Sequence, residues 1–179
     1  MKKHLIIGKP IAHSLSPKIH NYWFKKNNID AFYEKISPEK DQLKEILQRV
    51  KTNEIHGINV TLPYKQAVIP FLESRSELAK ETDTVNTVFK KNGKLYGDNT
   101  DVYGFEKSIT NKKINLKNKS VLIFGAGGVV PSIISALNKL KIGKIFLSNR
   151  TRERSNIIKK KFKKIQILKW GEITNCDIF

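Results

Sequence analysis

The chain has 179 residues, 39% of them hydrophobic, which suffices for one ordinary packed domain or two small ones and excludes global disorder. Its 34 Lys and Arg against 16 Asp and Glu give a net charge of +18. No paired Cys/His spacing and no aromatic-basic stripe accompanies that charge, so a Lys-rich surface is expected and a nucleic-acid partner is not. The single cysteine, Cys176, excludes an intrachain disulfide and a Cys-type metal cluster. No metal site is expected, and a reducing cytoplasm fits. The apolar run Leu5-Ile6-Ile7 is too short for a signal-peptide core. The stretch Val121 to Leu137 is broken by Gly125, Gly127, Gly128 and Pro131, so no membrane span is expected.

The pattern divides the chain into two α/β halves. In the first, residues 1–100, His4–Ile7 reads as a short strand. Ser16-Pro17 reads as a helix N-cap followed by a first-turn proline. Ala31–Ile36 is a second strand, and Ser37-Pro38 repeats the cap-then-proline signal. Leu43, Ile46, Leu47 and Val50 follow at helical spacing. Gly57–Thr61 is a third strand, Ile69–Thr82 looks helical, and Val85–Phe89 and Lys94–Tyr96 flank the hairpin signal Asn92-Gly93. Residues 101–118 hold a connecting helix from Asp101 to about Ile109 and a polar linker.

The second half, residues 119–179, reads as strand Ser120–Phe124, a glycine turn, helix Val129–Leu140, strand Lys144–Ser148, helix Arg152–Phe162 and strand Ile165–Leu168. Cys176–Phe179 starts another strand. Strands alternating with helices imply a Rossmann-like sheet. The turn Gly125-Ala126-Gly127-Gly128-Val129 lets the backbone approach a pyrophosphate, and the helix N-terminus supplies N–H donors and a positive dipole. Past the second strand stand Asn149-Arg150-Thr151 and then Arg154, where an NAD site would carry a carboxylate. The two arginines suit a 2′-phosphate, so the expected cofactor is NADP(H). Val130 takes the third small position of the glycine fingerprint, and Pro131 follows it.

Five motifs carry the strongest signal: Ala12-His13-Ser14-Leu15-Ser16-Pro17, Asn59-Val60-Thr61-Leu62-Pro63-Tyr64-Lys65, Val85-Asn86-Thr87, Gly97-Asp98-Asn99-Thr100-Asp101 and Asn149-Arg150-Thr151. In this order, with the glycine turn before the last, the chain closely resembles the shikimate dehydrogenase family over essentially its whole length. The resemblance implies a substrate domain followed by an NADP-binding domain, with the active site in the cleft between them. It implies reversible NADPH-dependent reduction of 3-dehydroshikimate to shikimate, in the pathway to chorismate and the aromatic amino acids. Serines at the positions of Ser14 and Ser16 bind the substrate carboxylate in the family, and a loop entering a helix N-terminus is a natural carboxylate site. Asn59, Thr61 and Asn86 would hold the ring hydroxyls. Lys65 and Asp101 form the catalytic pair in the family; which of them moves the proton stays open, Lys65 being a reasonable acid in the reduction. His13 is expected to be structural.

Alternatives stay open: an NAD-using quinate/shikimate enzyme, and a protein that binds shikimate without turnover. The partner expected is a small molecule, and the reading allows a homodimer. The family usually has small residues, often Gly-Ala-Val, where this chain has Asp83-Thr84-Val85, which could reshape the wall beside the substrate. The sequence ends at Phe179 inside a strand signal, whereas the family continues through more of the cofactor sheet to a C-terminal helix carrying a substrate-contacting Gln. The 179-residue chain alone is therefore expected to show little activity and a marginally stable second half.

Overall fold

The structure, a computed structural model, describes every residue except Ile173. The chain forms two compact units, Met1–Thr100 and Asp101–Phe179. Among the described residues no helix is long and apolar enough to cross a membrane.

The first unit is a six-stranded mixed sheet. Its elements are β1 Lys2–Ile7, α1 Ser16–Lys26, β2 Ala31–Ile36, α2 Leu43–Lys51, β3 Gly57–Val60, β4 Ser74–Arg75, α3 Glu77–Thr82, β5 Thr87–Lys91 and β6 Lys94–Asp98, in the sheet order β2-β1-β3-β5-β6-β4. β2, β1 and β3 run parallel because helical crossovers join them. Helix α2 buries Leu43, Ile46, Leu47 and Val50, the one stripe that its sequence makes apolar. These pack with Leu5, Ile7, Ile58, Val60, Val85 and Val88 into one core. Each such side chain, withdrawn from water, contributes about 1.5–3 kcal/mol. The β5–β6 hairpin turns on Asn92 (φ 52°) and Gly93 (φ 74°), the two left-handed residues that such a tight turn requires.

Two readings of this unit are corrected. Ser37-Pro38 does not open α2, which starts at Leu43 behind Gln42. The Pro38 carbonyl instead accepts a hydrogen bond from the buried Tyr64 hydroxyl at 2.5 Å. The segment Ile69–Thr82 is not one helix: a 3₁₀ turn at Ile69–Phe71 leads into β4 and only then α3. Pairing with β6 overrides helical propensity there, since Glu73 N–H donates to the Leu95 carbonyl and Ser74 lies opposite Tyr96. Ser76 then starts α3, its side chain accepting from Ala79 N–H at 3.1 Å.

The second unit holds α4 Asp101–Thr110, β7 Ser120–Phe124, α5 Val130–Lys139, β8 Lys144–Ser148, α6 Arg152–Lys161 and β9 Gln166–Leu168. β7, β8 and β9 are parallel and adjacent in that order. Leu116, in the polar stretch before β7, is buried with Val121, Val130, Ile134, Leu137 and Leu147. The strand signal at Cys176–Phe179 amounts to a parallel bridge between Ile178 and Val121, on the side of β7 away from β8. Asp177 fixes it. Its carboxylate accepts from the Ser120 hydroxyl at 2.7 Å and the Ser120 N–H at 2.8 Å, with Lys119 at 3.2 Å. Those bonds, the Ser120 hydroxyl first, hold the carboxyl down to about 2. The chain thus leaves β7 first on one side and later returns on the other, so β7 is the switch point of a doubly wound sheet.

The surroundings lower the pKa of two histidines of the first unit. Burial lowers the pKa of His4, helped by the nearby positive charges of His56, His20 and Lys2, and burial lowers that of His20. His4 lies 5.6 Å from Phe24 ring to ring, and His20 stacks on Tyr33 at 4.3 Å. Unfolded, both bind protons near 6.5. Below that value the unfolded chain takes up more protons than the native one, so stability is full above it and falls as the pH drops towards the depressed native values. The thermal midpoint is expected to fall between about pH 7.5 and pH 5.5 and the fall to shrink in His20→Phe, as read by circular dichroism. A midpoint flat over that range would contradict the burial assigned to these rings.

Candidate functional site

The strand directions of the first unit decide which residues meet. β1 and β3 are parallel, so Ile7 and Val60 finish at the same edge, where Thr61 N–H donates to the Ile7 carbonyl at 2.9 Å. β5 runs antiparallel to β3, and its first residue, Thr87, lies opposite Asn59. β6 reverses again and brings Asp98 opposite Thr87. Asn59, Thr61, Asn86 and Thr100 therefore gather at one end of the sheet although the sequence scatters them. Gly8 seats the loop that leaves β1: a Cβ there would stand 2.4 Å from the Thr61 methyl and 3.0 Å from the Leu62 carbonyl oxygen. That approach lets Lys9 N–H donate to the Leu62 carbonyl at 2.9 Å, which carries the Ser14 loop to the same sheet end.

Ser16 is not the cap of α1. It is the helix's first residue, and Leu15, whose side chain makes no capping hydrogen bond, stands at the cap position. The Ser14 hydroxyl accepts from Ser16 N–H at 3.3 Å. Both serines are half-buried, and His13 is exposed and belongs to none of the buried clusters, so no packing role supports the structural reading of it. Lys65, also half-buried, is held through its backbone. Tyr64 before it is anchored on Pro38, and the Lys65 carbonyl accepts from Val85 N–H at 2.8 Å. Asp101 is the first residue of α4 and directly follows Thr100 in the chain.

The polar residues at this end form a network. The Tyr33 hydroxyl lies 2.6 Å from Asn59 Oδ1, and Asn59 Nδ2 lies 3.2 Å from Thr87 Oγ1. Thr87 Oγ1 donates to Asn86 Oδ1 at 3.0 Å, which also accepts from Thr100 N–H at 3.0 Å. Tyr33, Thr87 and Thr100 escaped the sequence reading. Thr87 and Thr100 stood inside the quoted motifs without a role, and Tyr33 was one residue of the strand Ala31–Ile36. Asp83 takes the left-handed conformation that ends α3 (φ 53°) and pairs with Arg75 at 3.1 Å. Thr84 is fully buried and, with Thr82, accepts from Asn99 Nδ2 at 2.7 Å, so it is a packing residue.

In the second unit the glycine turn leaves β7 at the switch point. Gly125 has φ 102°, open only to glycine without strain, and its N–H donates to the Ser148 carbonyl at 2.8 Å. Ala126 N–H donates to Asn149 Oδ1 at 3.1 Å, and Asn149 Nδ2 donates to the Thr151 carbonyl at 2.6 Å. Asn149 thereby ties the glycine turn to the end of β8. Arg150, Thr151 and Arg154 are exposed beyond it. Helix α5 starts at Val130 behind Val129, with no side-chain cap. A Cβ on Gly125, Gly127 or Gly128 would meet no protein atom within 4 Å. An open glycine turn, an uncapped helix start and two arginines at the end of the next strand fit a phosphorylated dinucleotide. Val130 is 5% exposed and Pro131 is buried, so both side chains face the core of their own unit.

Comparison with known proteins follows this geometry. Residues 6–88 match the family described as the shikimate dehydrogenase substrate binding domain, and residues 107–177 match shikimate / quinate 5-dehydrogenase. A shikimate dehydrogenase (NADP(+)) of Pelagibacter ubique is 49% identical over 99% of this chain and 67% of its own length. One from Clostridium perfringens is 43% identical over 99% of this chain and 65% of its own length. Among solved structures, shikimate dehydrogenase from Aquifex aeolicus superposes with a TM-score of 0.87 at 38% identity, over 94% of this chain and 62% of that one. The Thermus thermophilus enzyme in complex with NADP(H) and shikimate does so with a TM-score of 0.84 at 30% identity, over 94% and 63%. The chain thus spans about two thirds of the length of the proteins it matches.

The glycine turn makes a stability prediction of its own. Gly125→Ala forces a side chain into a left-handed backbone and is expected to cost about 1–3 kcal/mol. Gly127→Ala, whose methyl group meets open space, is expected to stay within about 0.5 kcal/mol of the parent. Calorimetric melting of the two variants checks the contrast, and equal losses would mean that the turn has another conformation.

Proposed function

This chain belongs to the shikimate dehydrogenase family, and from that premise we propose that it acts in the reversible NADPH-dependent reduction of 3-dehydroshikimate to shikimate, on the route to chorismate and the aromatic amino acids. One observation carries the proposal: Ser14, Ser16, Asn59, Thr61 and Asn86 come from three separate stretches of sequence, yet the strand directions and the Lys9–Leu62 backbone bond bring them to one sheet end. A small ring acid with several hydroxyls needs that mixture of hydroxyl and amide groups. We read residues 1–100 as the substrate domain, 101–118 as the connection and 119–179 as the NADP-binding portion.

In this reading Ser14 and Ser16, at the start of α1, receive the carboxylate, helped by the helix dipole. Asn59, Thr61 and Asn86 hold the ring hydroxyls. When bound at Gly125–Val129, NADPH supplies the hydride. Asn149 keeps the glycine turn against the end of β8, and Arg150 with Arg154 takes the 2′-phosphate, alongside Thr151. Lys65 delivers the proton to the alkoxide oxygen, with Asp101 as the second member of the catalytic pair. In the reverse direction Lys65 takes the proton back. A reducing cytoplasm is the compartment that suits a chain with one free thiol, Cys176.

The test uses the intact protein, with shikimate oxidation followed through nicotinamide absorbance. Turnover is expected with NADP⁺, with at least a tenfold lower kcat/KM on NAD⁺, roughly what one lost ion pair to the 2′-phosphate represents. Lys65→Met is expected to lower kcat by about 100-fold or more while shikimate binding changes by less than about threefold. Preference for NAD⁺ would refute the roles of Arg150 and Arg154, and unchanged kcat in Lys65→Met would remove Lys65 from the chemistry.

A further inference from the structure

The network at the sheet end has a fixed direction, and Tyr33 starts it. Tyr33 lies in β2, two strands away from Asn59, with β1 between them. Its ring is 4% exposed and crosses over β1 among Ile6 and Ile11. His20 stacks on it at 4.3 Å with an interplanar angle of 5°. The Asn21 side chain brackets its backbone, donating to the Tyr33 carbonyl at 2.9 Å and accepting from its N–H at 2.8 Å. The phenol is thus locked at both ring and backbone, and its hydroxyl reaches Asn59 Oδ1 at 2.6 Å. Burial pushes the phenol's pKa upward, which keeps the hydroxyl proton in place at any working pH.

Donors and acceptors can be assigned along the network from groups that allow no choice. Asn59 Nδ2 faces the Asn86 carbonyl oxygen at 3.4 Å, and a carbonyl oxygen only accepts. That edge of Asn59 is therefore its NH₂, its oxygen faces Tyr33, and the phenol must donate. Asn59 also donates to the Thr87 hydroxyl, whose one proton goes to Asn86 Oδ1. At the far end Thr100 N–H, which only donates, meets that same Asn86 oxygen, and Asn86 Nδ2 donates back to Thr100 Oγ1 at 2.9 Å. Two anchors that do not depend on each other, one carbonyl and one N–H, give the same orientation for both amides.

We propose that Tyr33 is a positioning residue for the substrate site, acting on Asn59 directly and on Asn86 through the Thr87 hydroxyl. The inference rests on the reading of Asn59 and Asn86 as substrate contacts. Its physical content concerns specificity. A ring hydroxyl can donate or accept, so an amide able to turn over would tolerate several ring orientations. An amide whose oxygen and NH₂ are fixed tolerates fewer, and a ketone, which only accepts, meets only the NH₂ edge. Tyr33 thus holds the oxygen edge of Asn59 in the orientation that the Asn86 carbonyl sets, and the Thr87 hydroxyl does the same for the Asn86 oxygen set by Thr100 N–H.

Tyr33→Phe tests this, because it removes the hydroxyl and keeps the ring and its stack on His20. Shikimate titrated calorimetrically into the protein is expected to bind about five- to tenfold more weakly, the size of one hydrogen bond, with NADP⁺ affinity unchanged. Thr87→Val is expected to weaken shikimate binding comparably, and Thr87→Ser to restore it. In an Asn59→Ala background, Tyr33→Phe is expected to have no further effect on shikimate affinity, whereas a merely structural tyrosine would give losses that add. Unchanged shikimate affinity in Tyr33→Phe, or additive losses in the double variant, overturns the inference and leaves the functional reading intact. Failure of the parent protein itself to bind shikimate overturns both.

Discussion

The pairing of Asn59 with Thr87 across the β3–β5 boundary is the contact on which the first unit's chemistry depends. On one side of that boundary the sheet is parallel, built by crossover helices, and every strand delivers its C-terminal end to the same edge. On the other side a hairpin reverses the chain twice. An antiparallel neighbour delivers its N-terminal end instead, which is why Asn86 arrives beside Asn59, with Val60 N–H donating to the Asn86 carbonyl at 2.8 Å. Slipping this register by one residue would turn Thr87 to the opposite face and disconnect the two amides. The buried faces of Ile58 and Val88, paired next to them, hold the register, since a slip would expose both.

Ion pairs on the outer faces play little part in this arrangement. Ion pairs such as Lys80 with Glu77 and Lys119 with Asp177 lie on exposed side chains, where such pairs contribute little. What distinguishes the sheet end is neutral polar groups, half-buried or buried, that satisfy one another. The excess of lysine is borne by outer faces such as that of α6, where Lys159, Lys160 and Lys161 fill the last turn. Cations there also favour the negative end of the helix dipole, so part of the excess stabilises the fold locally.

Much of this was legible in the sequence, and the exceptions have physical causes. Residues fixed by local rules were read correctly: the apolar stripe Leu43, Ile46, Leu47 and Val50, the Asn92-Gly93 turn, and the βαβ order around Gly125. Errors arose where distant contacts overruled local signals. Ser37-Pro38 resembles a helix start, but its backbone is taken by Tyr64 from another segment. Glu73–Arg75 has helical residues on both sides and becomes an edge strand because β6 offers it partners. Ser16 resembles a cap, but the helix begins one residue earlier than a serine cap would allow. Tyr33 could not be read at all, because its role needs the lateral order β2-β1-β3, which no local pattern encodes.

The same neighbours that build the sheet end constrain how its residues can be tested. Asn59 and Asn86 each stitch strands together and are each read as substrate contacts, so deleting either leaves a buried or half-buried partner unsatisfied at a cost of about 1–3 kcal/mol. An alanine at Asn59 therefore measures the loss of its own contact and the stranding of Tyr33 and Thr87 together. Outer members of the network are cleaner probes. Removing the Tyr33 hydroxyl takes away one donor to Asn59 Oδ1 and keeps the ring and its stack on His20. Thr84 shows the complementary case: its hydroxyl lies wholly inside, bonded to Asn99, so its loss would be felt as folding energy and not as affinity. Position within the network, rather than nearness in sequence to a motif, decides which of the two a substitution reports.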